Sequence, residues 1–137
     1  MKRRPLSVTI LALGVLTLAA LYLTRIFVTL QTWNFLLQYA LPWAGVYLLG
    51  SGLLWSGLLF AWGLGLWRGK PAAHRLLIPL STAYTLFWWA ERLYQHWQNA
   101  PAVNHPFWLG ITMLVWGWLG WLYHRPATRA FFGVLHE

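Results

Sequence analysis

The sequence predicts an all-α membrane protein: four transmembrane helices in an antiparallel bundle, with both termini in the cytoplasm. Three observations carry this reading. Apolar residues make up 59% of the 137 residues and charged residues only 9%, where a soluble domain carries about a quarter charged. The apolar residues fall into four long blocks separated by the charges. The basic residues crowd the ends that four spans would bring to one side. No stretch alternates with period two, and an open sheet cannot satisfy its backbone in lipid, so strands are not expected.

A spanning helix needs about 20 apolar residues, with a range of roughly 17 to 25. The first expected span covers about residues 6–27 and meets Arg25 near its end. Lys2, Arg3 and Arg4 before it could open a cleaved signal peptide. The apolar run is longer than an h-region of about 7–15 residues and lacks a small-x-small site, so a retained helix is expected. The second span, about 41–67, is uncharged throughout and closes at Arg68; it is long enough to tilt. The third, about 76–94, stays apolar to Ala90 and then meets Glu91 and Arg92. The fourth, about 106–123, lies between His105 and His124. All four are expected to form one domain over residues 1–137.

Charge sets the expected orientation. Lys2, Arg3 and Arg4 precede the first span, Arg68, Lys70 and Arg75 lie between the second and third, and Arg125 and Arg129 follow the fourth. Only Arg25 and Arg92 fall on the opposite side. Positive charge stays cytoplasmic, so the termini and the middle hairpin are placed inside, in a bacterial inner membrane. The same eight residues are expected to contact anionic phospholipids. Nucleic acid is not an expected partner, because these residues hug span ends rather than form a separate basic domain.

Of the connections, 68–75 carries the breakers Gly69 and Pro71 and reads as a tight hairpin. The segment 28–40 mixes Gln31, Trp33, Asn34 and Gln38 with leucines and suits the headgroup zone. The segment 95–106, with Pro101 and Pro106, reads as an irregular loop. In the tail, Arg125, Arg129, Phe131 and Phe132 predict a short interfacial helix.

Helices in lipid associate by close packing, which small residues permit. Gly45, Gly52, Ser56 and Gly63 follow one another at steps of seven, four and seven, one face of the second helix. Gly110, Gly117 and Gly120 are the corresponding set on the fourth, and Gly14, Thr17 and Thr24 on the first. These are the expected packing positions.

Ionisable groups inside a span are functional candidates because they are costly there. Glu91 lies about 22 Å along the third helix at 1.5 Å per residue, at the outer edge of the hydrocarbon. Arg25 reaches the same level on the first helix, so Arg25, Glu91 and Arg92 form the candidate external polar cluster. His74 and His124 sit at inner ends, His96 and His105 in the outer loop, and His136 in the tail. None lies mid-span as a bis-histidine haem would require, and all five read as interfacial polar residues. The 12 Trp are unusual. Trp33, Trp43, Trp67, Trp97, Trp108 and Trp121 read as an aromatic belt; Trp55, Trp62, Trp88, Trp89, Trp116 and Trp118 lie deeper, where an indole N–H needs an acceptor.

Two resemblances add little chemistry. Arg4-Pro5-Leu6-Ser7-Val8-Thr9-Ile10-Leu11 resembles the opening of uncharacterised small four-span bacterial integral membrane proteins, over the first helix only, and implies no activity. Glu91-Arg92-Leu93-Tyr94 with Asn99 is similar to a motif of the membrane-associated eicosanoid and glutathione metabolism family, also four-helix. There the motif enters the second helix; here it leaves the third, and the arginine and tyrosine set that holds glutathione is missing.

The function expected from these residues is non-catalytic. With no Cys, thiolate and disulfide chemistry are excluded; no catalytic dyad, metal set or cofactor is expected, while a pigment or lipid ligand is left open. The chain reads as an accessory or scaffold subunit that associates with other membrane subunits or with itself. A small oligomeric transporter or channel, with Arg25, Glu91 and Arg92 at its outer mouth and Thr17, Thr24, Ser81, Thr82 and Thr85 along a path, is the alternative.

Overall fold

The computed structural model describes residues 4–39, 42–97 and 104–134. It is 92% helix and contains no strand among the described residues. The expected lipid-facing Lys2 and Arg3, and Asn99 and His136, lie outside the described residues. The chain divides into two compact units: Leu6–Arg68, and the residues before Leu6 together with the chain from Gly69 onward.

The first unit holds α1 (Leu6–Gln31), α2 (Trp33–Tyr39) and α3 (Pro42–Trp67). On α1 the buried residues Val8, Leu11, Ala12, Val15, Ala19 and Tyr22 recur at helical spacing and form one stripe. The matching stripe of α3 is Gly52, Trp55, Ser56, Leu59, Trp62, Gly63 and Leu66. Gly52 lies against Ile26 and Gly63 against Leu16 and Val15, so the two helices run antiparallel. A methyl group at Gly63 would sit 2.8 Å from Leu16 Cδ2, and one at Gly52 2.7 Å from Ile26 Cγ1. Gly45 is equally close to the Trp33 ring, at 2.7 Å. These glycines set the distance between the helices.

The partner face on α1 differs from the expected one. Gly14, Thr17 and Thr24 are exposed, and the buried face is instead the one that carries Ala12, Val15 and Ala19. Apolar residues surround α1 on all sides, so hydropathy alone could not choose its packing face. The segment after α1 is helical rather than loose. Thr32 N–H donates to Val28 C=O at 3.0 Å and Leu36 N–H to Thr32 C=O at 2.9 Å, which carries the turn into α2. No residue of α2 is buried.

The second unit begins at Gly69, whose φ of 67° is open to glycine. A Cβ there would also lie 2.9 Å from the Phe131 ring. The expected hairpin contains a helical turn, α4 (Pro71–Arg75), started by Pro71 and leading directly into α5 (Leu77–Trp97). The expected irregular loop 95–106 is shorter than its span: α5 continues through Trp97 and α6 (His105–His124) begins before Pro106. At the other side, the Asn104 side chain accepts from Phe107 N–H at 3.3 Å and Pro106 sits in the first turn, so helix starts early. The tail forms α7 (Pro126–Phe132), closed by Gly133 at φ 73°.

Among the described residues, two helices, Leu6–Gln31 and Trp43–Trp67, are long and apolar enough to cross a membrane. At 21 and 20 residues, α5 and α6 have the length, but Glu91 and Arg92 on one and Trp, Gly and His on the other dilute their apolarity.

Replacing Gly63 by Leu is expected to destabilise the first unit by about 1–3 kcal/mol through overpacking. Gly57→Leu, where an added Cβ meets nothing within 4 Å, is expected to change stability by less than about 0.5 kcal/mol. Thermal unfolding of the two variants in one detergent measures the difference.

Candidate functional site

The densest chemistry among the described residues is an aromatic ladder between α5 and α6. Thr85, Trp88, Trp89 and Arg92 lie on one face of α5, at steps of three, one and three. Trp108, Thr112 and Trp116 lie on one face of α6 at steps of four. The Trp116 indole N–H donates to Thr85 Oγ1 at 3.2 Å, and the Trp89 indole N–H donates to Thr112 Oγ1 at 3.3 Å. One turn further on, the Arg92 guanidinium lies over the Trp108 ring at 4.8 Å and the Trp88 ring at 5.0 Å. Trp88 also packs against Trp89 edge-on at 5.4 Å and against Trp108 at 5.5 Å.

Each rung answers a specific cost. A part-buried indole N–H without an acceptor loses its water partner, and the two threonine oxygens restore one. Thr112 in turn donates to Trp108 C=O at 2.8 Å, so its hydroxyl serves as donor and acceptor at once. Arg92 gains from the two ring faces, an interaction worth about 0.5–2 kcal/mol depending on desolvation. Its Nε is buried without a hydrogen-bond partner. The rungs pair residues whose numbers fall on α5 as they rise on α6, which fixes the two helices as antiparallel and in one register.

The sequence-predicted positions distribute as follows. Arg25 belongs to the first unit, where its guanidinium lies 5.9 Å from both the Tyr22 and Tyr47 rings. Glu91 and Arg92 belong to the second, side by side on α5 and half-buried. Gly45, Gly52, Ser56 and Gly63 are buried on α3. A Cβ at Gly110, Gly117 or Gly120 would meet nothing within 4 Å among the described residues. Bulky indoles rather than small residues join α6 to α5, and the glycines fall on another face. The hydroxyls of Thr17, Thr24 and Thr82 bond back to the carbonyls of Leu13, Ala20 and Ile78 at 2.9–3.0 Å, which satisfies them within their own helices.

The basic residues of the second unit gather around α4 and α7. Lys70 precedes Pro71, and Arg75 ends α4. Arg125 lies over the Trp121 ring at 4.6 Å, and Arg129 Nη2 is 3.3 Å from His124 Nδ1. Lys70 is exposed and Arg4 is half-buried, while Arg68, exposed as well, ends the first unit. His74, expected at an interface, is instead 2% exposed. No group of three or more metal-ligating side chains occurs among the described residues. An open recess of about 400 Å³ at the α1–α2 corner is lined by Leu30, Gln31, Trp33, Asn34 and Leu49.

Sequence reasoning named the deep tryptophans but not their acceptors. The signal was present: Thr85-x-x-x-Trp89 and Thr112-x-x-x-Trp116 carry the same pair at the same spacing. Two antiparallel helices with that pair satisfy each other reciprocally. Thr85→Val and Trp116→Phe are expected to destabilise the unit by about 0.5–1.5 kcal/mol each. Their combination should cost less than the sum by roughly 0.6 kcal/mol, the average for such bonds in membranes. A double-mutant cycle followed by thermal unfolding reads the coupling, and strict additivity would show that the bond contributes nothing.

No protein family, no curated protein and no solved structure matches the chain.

Proposed function

We propose that this chain is a four-span helical membrane protein that acts as a non-catalytic structural subunit, either of a larger membrane assembly or of an assembly of its own copies. In this reading α1, α3, α5 and α6 cross the bilayer, and the termini and the 68–75 hairpin face the cytoplasm. The lengths of the four helices and the distribution of basic residues support it. Trp, Gly and Tyr lower the apparent hydropathy of α6 although a bilayer accepts them readily.

The observation that carries the structural role is the pair of open glycine faces. Gly50 and Gly57 on α3, and Gly110, Gly117 and Gly120 on α6, have no neighbour within 4 Å of an added Cβ. A glycine in a helix interior costs about 0.5–1 kcal/mol relative to Ala. In lipid that cost is offset where another helix approaches the bare backbone. Large apolar side chains flank these positions, among them Leu109, Met113 and Leu114 on α6, which are exposed. They suit contact with lipid or with a neighbouring helix. The aromatic ladder then serves to hold α5 and α6 rigid beneath that face.

Orientation is tested first. The chain has no Cys, so single cysteines report cleanly. Asn34→Cys is expected to react with an impermeant maleimide on intact cells, and Lys70→Cys only after permeabilisation; labelling of Lys70→Cys from outside would overturn the orientation. Association is tested by native mass spectrometry from mild detergent. Gly110→Leu with Gly117→Leu is expected to shift the protein to smaller species, with its own unfolding temperature unchanged. A wild type that is already a bare monomer would remove the structural-subunit reading.

The basic ends give a second expectation. Each Lys or Arg near an anionic leaflet contributes about 1 kcal/mol. Replacing Lys2, Arg3 and Arg4 by Gln should weaken retention of anionic phospholipid and make orientation less uniform. Unchanged lipid retention would limit these charges to a role in insertion.

A further inference from the structure

We propose that His74 is a proton-released latch for α7: the neutral ring holds the C-terminal helix against α4 and α6, and protonation frees it. The geometry is a buried aromatic stack. The imidazole lies 4.6 Å from the Tyr123 ring at an interplanar angle of 12°, and 5.3 Å from the Phe132 ring. It joins α4, α6 and α7 in one contact. Phe132 is 2% exposed and Thr128, one turn earlier on α7, is fully buried. Phe131 lies over Gly69, where a Cβ would come within 2.9 Å of its ring. The short α7 therefore rests on this cluster.

The cluster suits a neutral histidine and no other form. The ring makes a hydrogen bond to the Tyr123 main chain, and its Nε2 is buried with no partner. A proton arriving at Nε2 would create a buried N–H without an acceptor and a cation without a counter-charge. The groups around it offer no relief. Arg75 follows on α4, Tyr123 and His124 stand on α6, and Arg129 stands on α7. Two acids occur in the chain, Glu91 and Glu137; Glu91 is on α5, and Glu137 lies outside the described residues. Burial first, and the Arg129 charge second, push the imidazole below its ordinary value of 6.5, while the Tyr123 main chain opposes them in part.

The direction of the pH effect follows. A group whose ionisation is depressed by docking contributes its full share above the undocked value, near 6.5, and loses it as pH falls through the docked value. Docking of α7 is thus complete at neutral and alkaline pH and weakens on acidification. Only the docked form hides Phe132, and release presents an amphipathic segment with Arg125, Arg129, Phe131 and Phe132.

The test uses the full-length protein in lipid nanodiscs. The absence of native Cys lets Lys70→Cys with Val134→Cys carry two spin labels, whose separation is read by pulsed dipolar spectroscopy between pH 7.5 and pH 5. The expected result is one narrow distance at pH 7.5 and a second, broader and longer population that grows reversibly on acidification. His74→Phe keeps an aromatic plate without a titrating nitrogen and should remain narrow at both values. Arg129→Gln removes a neighbouring cation, brings the docked ionisation closer to the undocked one, and should move the midpoint to lower pH. His124→Gln should leave the transition in place. A wild-type distance independent of pH, a transition that survives in His74→Phe, or one abolished by His124→Gln would overturn the latch. Where His74→Phe fails to fold or to dock, the Arg129→Gln midpoint decides alone, and a midpoint unchanged or raised overturns it.

Discussion

The close approach of α1 and α3 is the constraint on which the first unit rests. An interior that is apolar on every side gives no sorting force when the surroundings are apolar too, so contact must come from shape. Gly52 and Gly63 supply it, leaving room for Ile26 and Leu16, and Gly45 does the same for Trp33 of α2. The remaining contacts are set by that spacing. Leu59 and Leu66 are fully enclosed because the glycines on either side let the helices meet. Trp55 and Trp62, one helical repeat apart, fill the wider parts of the same seam. Replacing a glycine here enlarges the gap for every residue above and below it, because packed side chains transmit strain.

The second unit solves the same problem with polar atoms. Its ladder joins α5 and α6 through indole donors and threonine acceptors, and a guanidinium fills the last rung between two rings. A hydrogen bond specifies register where dispersion alone tolerates sliding. A shift of α6 by one turn would set Thr112 against Thr85 and Trp108 against Trp89, taking the Trp89 indole away from its acceptor. The two devices differ in what they permit afterwards. The glycine seam uses up the small face of α3 that it occupies, whereas the indole ladder leaves the small face of α6 open.

The reading of the sequence reached the helices and stopped at their faces. Helix existence was legible because long uncharged blocks ending in Arg or Glu have few other uses. The α3 stripe was legible because glycines and a serine at steps of seven and four cannot be spread around a helix. The α1 stripe was not, since Gly14, Thr17 and Thr24 imitate a small face while Ala12, Val15 and Ala19 form the real one. Thr17 and Thr24 face outward at little cost because each hydroxyl is satisfied by its own helix. The α6 glycines form a small face that is not the one turned toward α5. His74 was read from its position near a span end, and position said nothing of Phe132, which returns from 58 residues further along the chain to cover it. Contacts of that sequence separation leave no periodic trace.

Aromatic residues therefore do different work at the two ends of the second unit. Near Arg92 the rings face the positive charge of a guanidinium. Near His74 the rings face an imidazole whose burial favours its neutral form. The rings thus hold a cation at one end and a neutral ring at the other. The difference lies in the chemistry of one side chain rather than in the packing. A cluster that required only rigidity would be served by Phe at position 74, which stacks as well and leaves no buried nitrogen unpaired. Histidine there costs an unsatisfied Nε2. What it adds is the one property phenylalanine lacks, a charge that can be switched on within the physiological range.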